Sequence, residues 1–417
     1  MGDRLKSAKG VSHILIILFG VIPISLTYSL HNELDLHSAI FNSTYDRDIR
    51  PGINRDLPLQ IDTTFILKSI KDLEESTGKF SVTGALSVYW IDDRLTWNPN
   101  NYGGNLHSII VPQKKIWIPY ILNMHDFGEI KYTGHSELTL RVESNGFVVW
   151  NIPNLYESTC DFDLSKYPFD SQTCVLPFYV VGFGHAEVLF NISETNKIAN
   201  TSIYSENGLW AVTGTQIYTT INELDFQEVR VSVSMKRRSA YYISSLILPI
   251  CFLSFLQLFV FIMPHESGER VGFAVTVLLA VAVYLTLIQD KLPEASQPSV
   301  AYLSYKLLVD FITGIFVVVG VIVGLRFYHR EEEKVIPKVF QLFHRILFPG
   351  TFLSSLLRRK PKVTDDEKVS SDDGAVNMEY STTTWSDVGK ATDRFCLILS
   401  CLSFVLCNFV YFIVATS

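Results

Sequence analysis

One stretch of the sequence places a carboxylate at each end of an uncharged, helix-length segment. Glu269 precedes it and Asp290 follows it, and nothing between Arg270 and Gln289 is charged. About twenty helical residues span roughly 30 Å, the thickness of a bilayer's hydrocarbon core. At helical spacing one narrow stripe carries Glu269, Gly272, Thr276, Leu279, Val283, Leu287 and Asp290.

The chemistry this stripe could perform is ion selection. If several copies turn it inward, they form a tube whose ends carry rings of negative charge and whose middle is an apolar constriction. Charged rings select ions by sign, and an apolar constriction can block by dewetting. The alternative at this point is an ordinary membrane anchor flanked by two acids.

The surrounding segments indicate a membrane protein with four spans, at 240–263, 270–290, 300–325 and 395–415. Pro249 interrupts the first span, which is tolerable when neighbouring groups satisfy the freed carbonyl. In the third span Lys306 and Asp310 either pair on one face or extend separately to the interface.

Charge distribution predicts the orientation of the chain. Residues 31–235 contain 25 acidic against 14 basic side chains, and residues 326–362 contain 9 basic against 3 acidic ones. Positive segments tend to stay in the cytoplasm, so the acidic half should face outward, where it would concentrate cations.

The N-terminal residues 1–30 have the pattern of a secretory signal peptide, with basic residues before an apolar run. A retained anchor is the alternative. Cleavage near residue 30, followed by four spans, would place both termini outside the cell. Three glycosylation sequons agree with that placement: Asn42, Asn191 and Asn200.

The outward-facing residues 31–236 contain short alternating segments separated by turns, which favours a β-sandwich. The stretch 61–75 mixes strand and helix signals and stays open. Cys160 and Cys174 lie outside the apolar spans, whereas the other four cysteines lie within them. A lone pair in an oxidising compartment predicts a disulfide, with two unpaired thiols as the alternative.

Residues 326–394 are predicted to be cytoplasmic. Within them, 335–358 has the composition of an amphipathic helix lying on the inner leaflet, and 361–390 has that of a disordered segment.

The cysteine segment carries a more specific signal. Thirteen residues separate Cys160 from Cys174, and Tyr167, Pro168, Phe169 and Asp170 lie among them. This pattern resembles the signature of the Cys-loop pentameric ligand-gated ion channels. Further segments resemble the cationic, nicotinic acetylcholine receptor-like members: Trp90-IDDRLTW, Trp117-IP, Met235-KRRSAYY and Ser267-GERVGFAVTVLL. The resemblance covers nearly the whole chain from about residue 55.

The resemblance implies an extracellular antiparallel β-sandwich followed by a four-helix transmembrane bundle, assembled as a pentamer with four further subunits. The second helix of each subunit would line the pore. Glu269 matches the intracellular ring associated with cation selectivity, Leu279 the central gate, and Thr276 and Gly272 the positions below it. The implied partners are membrane lipids, permeant monovalent cations and a small-molecule agonist; no nucleic acid, cofactor or metal is implied. The implied location is the plasma membrane, which is compatible with a synapse.

The resemblance also implies how ligand binding would open the pore. The disulfide loop would rest over the linker Leu292–Pro298, which contains Pro293, and a shift there would tilt the pore helices. Glu75 would pair with Arg238 just before the first span. The alternative for this pair is two exposed charges, coupled by less than about 1 kcal/mol.

The ligand pocket departs from the nicotinic pattern, in which aromatic faces attract a cation. The expected tyrosine after Trp117 is Met124, and the two expected tryptophans are Val181 and Ala85. The cysteine pair of the binding hairpin is absent from 218–226. The remaining candidates are Tyr218, Phe226, Phe183 and, on the complementary side, Trp150. Tyr218 and Phe226 could instead merely pack the hairpin.

Two hypotheses remain for the pocket, and three for the chain. Another ligand could fill the pocket, either more apolar or held by Glu223 and Asp225, or partner subunits could supply most of the binding. The chain would then be a cation channel gated by a ligand other than acetylcholine, or an accessory subunit of a heteropentamer. The third class, a membrane-bound enzyme, is disfavoured because the sequence lacks G-x-S-x-G, H-E-x-x-H and phosphate-loop motifs.

Overall fold

The computed structural model describes residues 30–42, 44–128, 132–134, 137–223, 225–265, 268–289, 300–331, 336–347 and 384–416. The chain forms two compact units. The first contains residues up to Phe162 together with Gln172–Met235, and the second contains Asp163–Ser171 together with residues from Lys236 onward.

The first unit begins with a helix that the sequence did not predict, α1 (Leu30–Ile40). Among the described residues ten strands follow: β1 (Leu59–Glu74), β2 (Lys79–Thr96), β3 (Ser108–Pro112), β4 (Ile121–Asn123), β5 (Thr139–Glu143), β6 (Asn145–Thr159), β7 (Ser171–Val180), β8 (Val188–Asn191), β9 (Trp210–Ile221) and β10 (Gln227–Arg237). They form a six-stranded sheet in the order β3-β5-β6-β2-β1-β8 and a four-stranded sheet in the order β4-β7-β10-β9.

The predicted β-sandwich is confirmed, with one departure from the antiparallel expectation. Strand β8 pairs with β1 in parallel, from Leu59 opposite Val188 to Asp62 opposite Asn191. In β5 and β6 alternate side chains point into the core, because successive residues of a strand face opposite sides of the sheet.

The ambiguous stretch 61–75 lies in strand β1 except for its last residue. Its first half alternates strictly, with Ile61, Phe65 and Leu67 fully buried. Irregularities in the pairing with β2 follow at Leu67/Ser69 and at Ile70/Asp72. Each bulge adds a residue, so the next buried side chains, Ile70 and Leu73, recur every three residues and mimic a helical period.

The second unit consists of helices. They are α2 (Ala240–Phe259), α3 (Arg270–Gln289), α4 (Tyr302–Tyr328), α5 (Lys338–Leu347) and α6 (Trp385–Thr416). Four of them, α2, α3, α4 and α6, are long and apolar enough to cross a membrane. This agrees with the predicted bundle.

Pro249 is accommodated by a neighbouring helix, as expected. Ile243–Ile247, just before the proline, is a π-helical turn within α2. Pro249 has no N–H to bond the carbonyl four residues earlier, that of Ser245. The Tyr284 hydroxyl of α3 donates to this carbonyl oxygen over 2.7 Å. The freed acceptor is therefore satisfied without water.

Lys306 and Asp310 of α4 form an ion pair, which decides between the two alternatives. The Lys306 Nζ lies 2.6 Å from Asp310 Oδ2, and their side chains are 1% and 4% exposed. Cys251 and Cys407 place their thiols near this pair from α2 and α6.

The last helix starts ten residues earlier than expected, at Trp385 rather than 395. The prediction of disorder for 361–390 is therefore wrong for residues 385–390, which are helical. Thr384 and Asp387 cap each other there, the Thr384 hydroxyl donating to Asp387 and the Asp387 N–H donating back. Helix α5 lies inside the predicted amphipathic segment 335–358. The predicted signal segment, the linker with Pro293, Asp290 and most of the segment 361–390 lie outside the described residues.

Candidate functional site

Helix α3 exposes the side chains of the predicted stripe. Glu269, just before the helix, is exposed, as are Gly272 and Thr276. The apolar positions nearer the C-terminal end of the helix are exposed as well: Leu279 is 61% exposed, Val283 52% and Leu287 60%. The opposite face is buried within the subunit and carries Arg270, Ala274, Val277, Val281 and Ile288.

Small and polar residues occupy the lower part of this exposed line. No described heavy atom outside its own helix and chain neighbours would come within 4 Å of a Cβ at Gly272, so packing does not require the glycine. The Thr276 hydroxyl donates to the Gly272 carbonyl oxygen over 2.7 Å. Its own donor is thus satisfied, and its oxygen can still accept a bond from water.

The turn before α3 presents Glu269 at the start of the helix. Gly268 has a φ of 66°, in the left-handed region that favours glycine. Glu269 accepts the Phe273 N–H through its carbonyl oxygen, while its carboxylate stays exposed. An exposed carboxylate, a hydroxyl and an apolar ridge therefore follow one another on one face.

The loop between the two cysteines packs its tip with the helices of the second unit. The disulfide Cys160–Cys174 is formed, which confirms the predicted pairing. Tyr167 is 2% exposed and belongs to a cluster with Ile247 and Leu303, against which Phe169 packs. The Tyr302 N–H at the start of α4 donates to the Ser165 carbonyl oxygen over 2.9 Å. Pro168 follows Tyr167 through a cis peptide bond.

The same tip contains a buried ion pair that sequence reasoning missed. Arg237 Nε lies 2.8 Å from Asp170 Oδ1, and Nη2 lies 3.1 Å from Oδ2. The two side chains are 3% and 1% exposed. The guanidinium also lies over the rings of Tyr167 and Tyr242, at 4.9 and 5.5 Å.

A sequence signal for Arg237 did exist. In β10 Met235 is buried, Lys236 is exposed and Arg237 is buried again, so strand alternation points Arg237 inward. The expected pair is a different one, Glu75 with Arg238. Glu75 follows β1 in the first unit and Arg238 follows β10 in the second, and their pairing stays a prediction.

The hairpin β9–β10, which contains two of the predicted pocket residues, carries charges as well as rings. Phe226 packs against Tyr179, a residue the sequence reasoning did not single out, with ring centroids 5.9 Å apart. Arg230 Nε donates to the Glu228 carboxylate over 2.9 Å. This bond, with a smaller contribution from the Tyr218 hydroxyl, raises the pKa of the Arg230 guanidinium. The Arg230–Glu228 ion pair therefore lies beside Tyr218.

The other principal-side candidates make contacts within the subunit. The Met124 sulfur accepts a bond from Asn222 Nδ2 over 3.9 Å. The Val181 N–H donates to the Tyr120 carbonyl oxygen. Phe183 meets the buried Trp117 edge-on at 6.3 Å. Aromatic rings are present here, but they pack against each other.

The complementary-side prediction for Trp150 needs correction. Trp150 is 1% exposed, because the alternation of β6 turns Val148, Trp150 and Ile152 into the core. Its ring therefore does not face a ligand approaching from solvent. Ala85 lies on β2, opposite Ile66 and Pro153, and is half-buried.

The three sequon asparagines lie at the surface of the first unit. Asn42, Asn191 and Asn200 are all exposed. Asn42 Oδ1 accepts from both the N–H and the hydroxyl of Thr44. Access for glycosylation is therefore open at each position.

Comparison with known proteins covers both units. Residues 33–239 match the neurotransmitter-gated ion-channel ligand binding domain. Residues 246–381 match the neurotransmitter-gated ion-channel transmembrane region. Helix α6 lies beyond the second match.

Curated relatives agree with this assignment. The acetylcholine receptor subunit beta of Xenopus laevis is 26% identical over 326 residues, 76% of this chain and 66% of that protein. The human neuronal acetylcholine receptor subunit beta-3 is 26% identical over 330 residues, 78% of this chain and 71% of that protein. Ligand-gated ion channel 4 of Caenorhabditis elegans is 27% identical over 266 residues, which are 62% of this chain and 41% of that protein. This chain thus spans about two thirds of the length of the first two relatives.

The disulfide loop, the two-sheet unit and the four apolar helices agree with these matches, and members of the matched family are channels built from several subunits rather than enzymes. The chain belongs to the neurotransmitter-gated ion channels, as a ligand-gated ion channel subunit of the nicotinic-like type.

Proposed function

We propose that this subunit contributes to a cation-selective channel opened by an extracellular ligand other than acetylcholine. Five subunits would turn the exposed face of α3 toward a common axis, with ligand bound between neighbouring β-sandwiches. The single observation that carries the proposal is the continuous exposed line from the Glu269 carboxylate through Thr276 to Leu279. The opposite face of the same helix is packed inside the subunit.

The order of side chains along this line supports cation selection with an apolar gate. A ring of Glu269 carboxylates at the inner mouth would attract cations and repel anions. A ring of Leu279 side chains would exclude water when the helices are close together. Lipid contact alone would explain the exposed leucines, but it would not explain a carboxylate and a hydroxyl on the same line.

A gate substitution tests the proposal without a known agonist. We expect Leu279→Ser to give a standing, agonist-independent current, because a hydroxyl lets water occupy the constriction. The measurement is whole-cell current in cells that express the full chain, with sodium replaced by a large impermeant cation and chloride varied separately. A reversal potential that follows sodium supports the cation channel.

The matched control is Leu279→Ile, which keeps the apolar surface and should leave the pore closed in the absence of agonist. A standing current carried by chloride would contradict the proposed selectivity. Surface expression of Leu279→Ser without any current, both alone and with a co-expressed relative, would contradict the proposed pore.

The pocket supports a ligand other than acetylcholine. Met124, Val181 and Ala85 replace three rings of the nicotinic pattern. Each lost cation–π contact weakens binding by about 0.5 to 2 kcal/mol, so three losses together lower affinity by between about ten-fold and about ten-thousand-fold.

We therefore expect a pentamer of this chain alone to give no current at micromolar acetylcholine. The measurement is the agonist concentration–response curve, with the Leu279→Ser current as proof that functional channels reach the surface. A strong response at micromolar acetylcholine would contradict the proposal for the ligand.

The incomplete aromatic pocket also favours a second candidate, an accessory subunit whose neighbours supply most of the binding. Expression of this chain alone separates the two. Standing current from Leu279→Ser alone supports an independent channel, whereas current that requires a co-expressed relative supports the accessory role.

The remaining surfaces support a plasma-membrane location with the β-sandwich outside. The exposed sequons would carry glycans there. Helix α5 exposes Val339, Leu342 and Ile346, which would contact lipid at the inner leaflet.

A further inference from the structure

The first residue of the pore helix is a buried arginine. Arg270 directly follows Glu269 and is 1% exposed. Its Nε donates to the Val260 carbonyl oxygen over 3.0 Å, and its guanidinium lies 5.9 Å from the Phe261 ring centroid. The carboxylate of the inner mouth thus has a positive charge as its immediate neighbour in the chain.

The last helix supplies the counter-charge. Asp393 of α6 places Oδ2 2.7 Å from Arg270 Nη1, and its side chain is 7% exposed. The guanidinium N–H groups do not point along this line, so the contact is electrostatic rather than an aligned hydrogen bond. Such a contact is strong where water is excluded.

Two glycines allow Asp393 to reach this position. A Cβ at Gly324 of α4 would lie 2.6 Å from Asp393 Oδ1, closer than van der Waals contact permits. A Cβ at Gly389 of α6 would lie 3.0 Å from the Gly324 carbonyl oxygen and from the Tyr328 nitrogen. The two helices therefore approach closely at the level where the carboxylate meets Arg270.

His265 closes the cluster from the turn before α3. Its Nε2 lies 2.5 Å from Asp393 Oδ2, and its ring stacks on Tyr328 at 4.5 Å. Burial lowers the pKa of His265; Asp393 opposes this shift, whereas Arg270 and Lys390 add to it. When the His265 imidazole is neutral, the negative charge of Asp393 balances the positive charge of Arg270 alone.

We propose that Asp393 is a positioning residue for the inner carboxylate ring: it holds Arg270 inside the subunit and balances its charge. This inference rests on the proposed function, since it assigns Asp393 to the selectivity of the same pore. Without Asp393, the positive charge of Arg270 is uncompensated beside Glu269. The cation attraction of the inner mouth then falls, because it depends on the net charge at the ring.

The test measures single-channel conductance and reversal potential in the Leu279→Ser background, where channels open without agonist. We expect Asp393→Asn to lower the cation conductance by about two-fold or more and to move the reversal potential toward that of chloride. Asp393→Glu, which keeps the charge, should recover most of the conductance. Both readouts are properties of a single open channel, so a lower number of folded channels does not change them.

A second variant leaves every charge in place. Gly324→Ala should displace the Asp393 carboxylate and shift both readouts in the same direction by a smaller amount. Its matched control is Gly320→Ala, one turn earlier on α4, where a Cβ would meet the Cys396 sulfur at 2.8 Å instead. Asp310→Asn is the control for a buried ion pair elsewhere in the same bundle. Neither control should alter conductance or selectivity.

If Asp393→Asn fails to reach the surface, Gly324→Ala decides by itself. Wild-type conductance and selectivity in Gly324→Ala, and in Asp393→Asn where it is expressed, would overturn the positioning role and leave the cation channel intact. A background current that is not carried by cations would instead overturn the proposed function, and this inference with it.

Discussion

Replacing Glu269 by glutamine is expected to lower the preference for sodium over chloride by about ten-fold or more. The substitution keeps the size of the side chain and removes one charge per subunit, so a pentamer loses five carboxylates at one level of the pore. We expect a large effect because Glu269 is exposed and, at the proposed inner mouth, low-dielectric walls would focus the field of the ring. The measurement is the reversal potential of the Leu279→Ser current under separate sodium and chloride gradients.

The control is Glu331→Gln, which neutralises another exposed carboxylate of the same unit. Because Glu331 follows the third span and lies off the exposed line of α3, its loss should leave the reversal potential unchanged. Unaltered charge discrimination in Glu269→Gln would remove the main support for the inner ring.

Replacing Asp170 by asparagine is expected to destabilise the protein by about 3 to 5 kcal/mol, the usual effect of leaving one buried charge unpaired. The Asp170 carboxylate accepts hydrogen bonds from both Nε and Nη2 of Arg237. Neither side chain is more than 3% exposed. The disulfide loop should lose its contact with the end of β10. We therefore expect fewer channels at the cell surface and a smaller fraction of them that open. The measurements are cell-surface labelling and thermal unfolding of the full chain in detergent.

Two comparisons make this prediction specific. Glu137→Gln breaks the exposed ion pair between Glu137 and Lys114, whose side chains are 86% and 61% exposed. It should lower the free energy of unfolding by less than about 1 kcal/mol. The double substitution Asp170→Leu with Arg237→Met should be milder than Asp170→Asn alone, because it leaves no unpaired charge. Equal thermal stability of Asp170→Asn and the wild type would show that the pair does not hold the loop.

Several elements were predictable because their signals are local. The apolar runs give the four spans, and strand alternation gives the β-sandwich. The Thr384 and Asp387 capping pair marks the true start of α6, and reading it would have corrected the predicted boundary at 395. The same alternation, applied to β6 and to the end of β10, would have predicted that the side chains of Trp150 and Arg237 point inward.

Other features were hidden because a distant partner determines them. Strand β1 looked partly helical since two bulges against β2 change its burial period from two to three residues. Its parallel partner β8 arrives from far along the chain. Nothing near Pro249 shows that the Tyr284 hydroxyl will satisfy the freed carbonyl.

By itself the sequence determined the membrane spans, the disulfide, the β-sandwich and the stripe of α3, because hydrophobic period, charge bias and cysteine placement act over a few turns or strands. The tertiary structure decided which charges meet. Arg237 pairs with Asp170, and Asp393 lies against Arg270 beside two glycines. A buried charge is stabilised by whichever opposite charge the packing of distant helices brings within a few ångströms, and no local pattern encodes that distance.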